Sequence, residues 1–354
     1  FVLNKTIISL ISTGGWFGQA IGAFLIPLLS KYLSRKKLVV YSSIVSFFVN
    51  IMFMIPVHWV FMFIMRILAG VFCFIGTTVA PAWLMELATN INTTTYFELF
   101  IATGILIQNL LLFIIGSKPL NFTISYTWGA LVSILCAFCA MMIKEEAVTT
   151  EHENLIEDNT AINKEHNQLK LGFKGFFVSL SGAVNGISVA TQYATRIFEN
   201  LFNFDPYLNS ALGATIMGVS KIIGAIIPLL VIKKLNKKWM FIGGLMVTVV
   251  ANILMSCAYI FQDKTTERTT LIVLGTAILL LSFEFGPGTV QYILFGDMFP
   301  EELKNKMGSI CFVTMACSNV IITMTFEYFT AQWVPYMLYA ILSTLCSVGL
   351  IWIV

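Results

Sequence analysis

The sequence predicts an all-α polytopic membrane protein, and three observations carry that prediction. Of 354 residues, 58% are hydrophobic and 11% charged, less than half the roughly 25% charged content of a soluble domain. Apolar runs of membrane length recur from end to end, and about 20 such residues cross a bilayer core as one helix. A single long polar segment, 144–170, interrupts them.

Eleven spans follow, at 6–30, 38–57, 59–85, 95–116, 123–143, 172–197, 208–232, 239–262, 270–296, 307–330 and 333–354. The polar segment holds seven acids and three lysines, a composition that buries too little apolar surface to pack and reads as a charged linker. It divides the chain into an N-terminal bundle (1–143), a linker (144–170) and a C-terminal bundle (171–354). Lysine and arginine set the orientation. One set of alternate loops carries fourteen of them, including Arg35, Lys36, Lys237, Lys238 and Lys304, against five on the opposite side. The rich side, linker included, is expected to be cytoplasmic. The sequon Asn121-Phe122-Thr123 then faces outward, where glycosylation is possible, although a three-residue pattern also arises by chance.

An internal repeat organises these spans. "IGAFLIPLLSKYLSRKK" (21–37) matches "IGAIIPLLVIKKLNKK" (223–238), about 202 residues apart. Each closes a helix with Pro-Leu-Leu and a basic cluster. Glu86 and Asp297 form a weaker second pair, each an acid near the basic end of a span. Two halves in the same orientation imply parallel repeats about an axis along the membrane normal. The second half has a whole span (172–197) before its copy; the first half has only "FVLNK". One further helix ahead of Phe1, and twelve in the natural protein, are therefore expected. No cleavable signal peptide is visible.

Four stretches in order resemble the sugar porter family of the major facilitator superfamily, and within it the facilitative glucose transporters. They are "GGWFGQAIGAFLIPLLSKYLSRKK", "MRILAGVFCFIGTTVAPAWLMELA" with Arg66, Pro81 and Glu86, "NGISVATQYATRIFE", and "FEFGPGTVQYILFGDMFP". The resemblance covers nearly the whole chain. It implies the major facilitator fold, two pseudo-symmetric six-helix bundles with the first helix absent here, and a plasma-membrane transporter. It also marks departures. Where the family has Gln-Gln-x-Ser-Gly-Ile-Asn for hexose contacts, this chain reads "GAVNGIS", with Gly182, Ala183 and Ser188 at those places. A family Asn of the eighth helix falls within a turn of Lys221, the tenth-helix Trp on Tyr292, and its Glu on Glu284. An Arg that pairs with the Glu86 position in the family falls near Thr93.

Lys221 and Glu284 are the mid-span lysine and carboxylate of the second half. Charges at that depth are paired and functional by default, so the two are expected close together, lining a central cavity or forming a structural pair. Gly286-Pro287-Gly288 should break the tenth helix, since proline removes a backbone donor and crowds the preceding turn. Such breaks are tolerated where protein or a water-filled cavity satisfies the freed groups, although a packing kink has the same sequence. With Glu284 and Tyr292 this stretch forms the candidate solute site. Glu86 and Asp297, with Arg35, Lys36, Lys237, Lys238 and Lys304, form a candidate cytoplasmic latch; the basic residues also serve simply as topology markers. Arg66 is a candidate coupling residue, because in proton-coupled family members its counterpart pairs with an acid of the first helix. Gly14, Gly15, Gly18 and Gly22 permit close helix packing.

Several function classes are excluded. No G-x-x-x-x-G-K-[ST] and no H-E-x-x-H motif occurs, and the three histidines are scattered, so neither an ATP-driven pump nor an enzyme is indicated. No cofactor, metal or nucleic acid is called for; the expected partners are a small solute, a sugar by resemblance, and the lipid bilayer. The seven cysteines lie in apolar runs, and Cys136-x-x-Cys139 has no second pair, which suits packing rather than redox or metal chemistry. Two other readings remain open: a transporter of a different small organic solute, favoured by the lost amides and by Lys221, and a non-transporting sugar sensor.

Overall fold

The computed structural model describes residues 5–55, 58–87, 93–115, 120–143, 164–199, 201–202, 204–260, 265–299, 301–329 and 331–353. Five long helices form the first half: α1 (Lys5–Leu29), α2 (Arg35–Phe53), α3 (Trp59–Leu87), α4 (Thr93–Ile115) and α5 (Leu120–Met142). The second half contains α6 (Lys164–Ala183), α7 (Ile187–Gln192), α8 (Ala194–Phe198), α9 (Pro206–Val231), α10 (Lys237–Ile260), α11 (Thr265–Phe283), α12 (Thr289–Met298), α13 (Glu301–Phe326) and α14 (Trp333–Ile353). A π turn, Glu284–Gly288, joins α11 to α12.

Ten described segments have the length and apolarity to cross a membrane, and a shorter apolar stretch, Tyr126–Met142, makes an eleventh. They coincide with the eleven expected spans. Helices are the required answer for such sequences, because a bilayer offers no water to satisfy an open backbone. Large apolar side chains such as Phe24, Phe100, Ile114 and Trp352 point outward, as a lipid-facing surface demands.

Two expectations about the segment that follows the linker need correction. The span expected as one helix over 172–197 is three pieces, because Gly186 takes a left-handed φ of 84° between α6 and α7. Asn185 stabilises the break: its Oδ1 accepts from the Ile187 amide at 3.0 Å, and its Nδ2 donates to the Gly182 carbonyl at 2.9 Å. A Cβ at residue 186 would also meet the Tyr339 ring at 2.7 Å, so glycine is required twice over. In addition, α6 begins at Lys164, inside the stretch expected as linker; "KEHNQLK" lacks glycine and proline and contains good helix formers. Residues 144–163 lie outside the described set.

The repeat extends beyond the motif that revealed it. Pro27 and Pro228 sit in the last turn of α1 and α9. Ser34 caps α2 by accepting from the Lys37 amide at 3.5 Å, and Asn236, 202 positions later, accepts from the Lys238 amide at 3.0 Å. Asn50 and Asn252 share the same offset, and each donates to the carbonyl four residues back, at 2.8 and 2.9 Å. Within the first half, α1 and α3 meet through glycine. A Cβ on Gly18 would overlap the Ile67 carbonyl oxygen and lie 2.8 Å from the Gly70 Cα, and one on Gly22 would lie 2.8 Å from the Val71 carbonyl oxygen. Small residues that let backbones touch are the usual glue of membrane helices.

The halves meet along α1 against α13 and α4 against α9. Among the described residues, hydrogen bonds that cross between them include these four: Ser9 Oγ to the Met324 carbonyl (3.3 Å), Arg66 Nη2 to Gln192 Oε1 (3.4 Å), Asn109 Nδ2 to the Ala214 carbonyl (2.8 Å) and Tyr207 Oη to the Leu112 carbonyl (2.7 Å). All eight residues lie in the half of their segment remote from the basic loops.

Candidate functional site

Lys221 lies past the middle of α9, and Glu284 opens the π turn. Their side chains meet, Nζ to Oε1, at 3.0 Å. The glutamate side chain is fully buried and the lysine side chain 14% exposed. Glycine makes this approach possible: a Cβ on Gly224, one turn along α9, would lie 2.9 Å from the Glu284 Cβ and 3.0 Å from the Leu281 Cα.

The π turn explains the acid's position. Pro287 has no amide hydrogen to continue the ladder, so the chain widens by one residue across Glu284–Gly288. The Thr289 hydroxyl donates to the Glu284 carbonyl at 2.7 Å, satisfying a backbone group at the break. The turn is held from the side by α10, where a Cβ on Gly286 would lie 2.8 Å from both the Gly244 Cα and the Met240 carbonyl oxygen. The expected break at Gly286-Pro287-Gly288 is thus a packed π turn.

A second carboxylate joins the pair. Glu98, on the opposing α4, is 5% exposed and lies within electrostatic range of both Lys221 and Glu284. Tyr292, one turn into α12, lies in the field of both glutamates and packs on the Phe312 ring at 5.7 Å. Phe312 also touches Phe74 of the first half, ring centroids 5.4 Å apart.

The broken segment α6–α8 lies beside this cluster and brings different chemistry. Gly182 carries no side chain, and the buried amide of Gln291 fills its space, so that any Cβ there would collide with Oε1. Ser188 donates from Oγ to Asn319 Oδ1 of α13. Ala183 is fully buried beside the Asn185 break. Two buried amides, Gln291 and Asn319, thus reach the "GAVNGIS" stretch from neighbouring helices.

The other predicted residues lie elsewhere. Arg66 is far along α3 from the ion cluster; it spans Gly14, with its Cβ and Cγ 3.1 Å from where a Cβ would be, and reaches Gln192. In the basic loops, Lys36 Nζ donates to the Ile143 carbonyl at 2.6 Å, at the end of α5, where a cation suits the free carbonyls of a helix C-terminus. Lys238 sits 5.9 Å from the Trp239 ring centre. Arg35 and Lys237 start α2 and α10. Glu86, Asp297 and Lys304 fall near the basic ends of α3, α12 and α13, but their side chains, and with them the latch, lie outside the described residues.

Glu98, Gln291 and Asn319 were not singled out from the sequence. Glu98 carried a usable signal, an acid inside the span 95–116. Gln291 and Asn319 stood as isolated amides in apolar runs.

The comparisons agree with this architecture. A model of the family described as "Sugar (and other) transporter" matches residues 4–354. A D-xylose transporter of Levilactobacillus brevis is 22% identical over 351 residues, covering 87% of this chain and 75% of that protein. The mouse solute carrier family 2, facilitated glucose transporter member 2, is 22% identical over 316 residues, 77% of this chain and 59% of its own length. Across the curated relatives matched, the aligned share of the relative runs from 32% to 75%. Among solved structures, a D-xylose-proton symporter superposes with a TM-score of 0.80 at 16% identity, over 99% of this chain and 88% of the other. An inward-open xylose transporter from E. coli gives 0.78 at 14% identity, over 99% and 87%. Identities this low speak to the fold, which is the major facilitator fold; the family match over nearly every residue goes further, and the chain belongs to the sugar porters of the major facilitator superfamily, multi-pass membrane transporters rather than enzymes.

Proposed function

We propose that the chain carries a sugar or a closely similar polyhydroxy solute across a membrane by alternating access, with the solute bound where the two broken segments face one another. One observation carries this reading. The Gly186 break and the π turn both lie in buried regions, joined by Gln291 packed against Gly182. Discontinuous helices are the usual mark of a transporter's solute site. The buried amides Gln291 and Asn319, the hydroxyl of Ser188 and the aromatic Tyr292 provide neutral donors and acceptors plus a flat apolar surface. A sugar ring needs both, since a polar group buried without a partner is costly.

The relatives' printed names, xylose and glucose transporters among them, favour the same solute class. With the basic loops cytoplasmic, the four hydrogen bonds between the halves belong to the outer side, and each transport cycle must break them when that side opens. Arg66 acts in this picture as one of those outer contacts. A plasma-membrane location accompanies the reading.

The test is uptake of labelled glucose, xylose, fructose and inositol by the full-length protein in liposomes. Saturable uptake of at least one, competed by the others, is expected. Folded protein that moves none of them would overturn the proposal.

A further inference from the structure

The ion cluster does not balance. Glu98 and Glu284 are two carboxylates; Lys221 is one ammonium. When all three are ionised, one negative charge remains uncompensated inside the protein, where solvation by water is lost. The geometry shows the deficit at Glu284. Its Oε1 lies 3.0 Å from the ammonium as an ion pair, yet both carboxylate oxygens are buried with no hydrogen-bond partner among the described residues. The other group within electrostatic range is the neutral phenol of Tyr292. Among the described residues, the neighbours packed at the π turn carry no titratable group: Gly224 from α9 and Leu281 from α11 beside Glu284, and Gly244 and Met240 from α10 beside Gly286.

We propose that Glu98, Lys221 and Glu284 form a proton-binding site that holds one proton between the two carboxylates when the halves are closed on one another. The proton comes from the aqueous side, adds to a carboxylate oxygen to give a neutral acid, and leaves Lys221 as the ammonium partner of the remaining carboxylate. Charge then balances at zero. The site is divided between the halves: Glu98 belongs to α4, whereas Lys221 and Glu284 belong to α9 and the π turn. When the halves separate, Glu98 moves away from the ion pair and both meet water, which solvates the excess charge, and the proton is released. Proton binding is thereby tied to the transport movement itself.

This proposal deepens the transporter reading but does not depend on the identity of the solute, so its test omits solute altogether. Infrared difference spectra of the purified full-length protein, titrated from about pH 5 to about pH 9, report the carbonyl stretch of a protonated carboxylic acid. The wild type should show such a band. Glu98→Gln leaves a neutral Lys221–Glu284 pair, is expected to fold, and should lose the band; Glu284→Gln leaves Lys221 facing Glu98 and should lose it too. Lys221→Met removes the cation described in the cluster and should increase the band about twofold, because both acids then need protons. A wild type with no band, or a folded Glu98→Gln variant whose band is undiminished, would overturn the proposal. Failed sugar uptake together with these band changes would sink the solute assignment and leave the proton site standing.

Discussion

The two halves solve the same packing problem with different chemistry. In the first, Gly22 of α1 presses on α3, where an added Cβ would lie 2.8 Å from the Val71 carbonyl oxygen and 3.5 Å from the Phe74 Cβ. In the second, Gly224 of α9 presses on α11 and the π turn, where an added Cβ would lie 3.0 Å from the Leu281 carbonyl oxygen and 2.9 Å from the Glu284 Cβ. The contacts correspond atom for atom, so Glu284 stands where the first half has Phe74, and Lys221 stands where it has Gln19. The next residue pair corresponds as well: Gly76 faces Ser42 as Gly286 faces Gly244. The scaffold has been kept in both copies, while a charge pair and a helix break have been placed in only one. A backbone contact made by glycine tolerates that change, because it holds the helices together without relying on the side chains beside it.

The comparison can be broken most forcefully by carrying the charge across. Phe74→Glu would bury an acid without a cation, against Phe312, at a cost of about 3–5 kcal/mol. Loss of the monodisperse peak in size-exclusion chromatography is expected, and Phe74→Glu combined with Gln19→Lys should recover part of it. No recovery would mean that the two sites are not equivalent. Next in size, Lys221→Met should cost about 3 kcal/mol in thermal or denaturant unfolding, with most of it regained in Lys221→Met/Glu284→Gln. A double variant as unstable as the single one would show that the pair is not what the lysine contributes. Pro287→Ala should leave stability within about 1 kcal/mol, because the π turn is packed on α10. It should slow uptake about tenfold if the break serves transport, and uptake at the wild-type rate would reduce the turn to a packing feature. The smallest effect belongs to Ser188→Ala, where losing the bond to Asn319 should cost about 1 kcal/mol and weaken solute binding more than maximal rate.

Much of this was legible before any coordinates. Ten of the eleven apolar runs became helices long and apolar enough to cross a membrane, and the eleventh a shorter apolar helix, because run length determines what a bilayer accepts. Lys221 and Glu284 were paired on the ground that isolated mid-span charges need partners, and they meet. Glu98 escaped notice because it sits in the second turn of its helix, where an acid also suits the membrane surface; its depth emerges only from how α4 crosses α9. The Gly186 break was invisible as one glycine in an apolar run. The packing around the changed lining could not be read position by position: the space beside Gly182 is taken by Gln291 from another helix. Such exchanges of volume between segments leave no local trace in a sequence.

The ion cluster also bears on how the protein is made. Glu98 and Lys221 are separated by two intervening segments in chain order, α5 and the broken α6–α8 segment, and each lies in a helix apolar enough to enter the bilayer by itself. Synthesis proceeds from the N-terminus, so α4 enters the bilayer carrying its acid before α9 and its lysine exist. An acid near the end of an inserting helix costs less than the roughly 2.5–3.5 kcal/mol of a charge at its centre, but this one has no cation to meet until the second half arrives. The cluster is therefore also a receptor within the chain, by which a half-made protein recognises its own remainder.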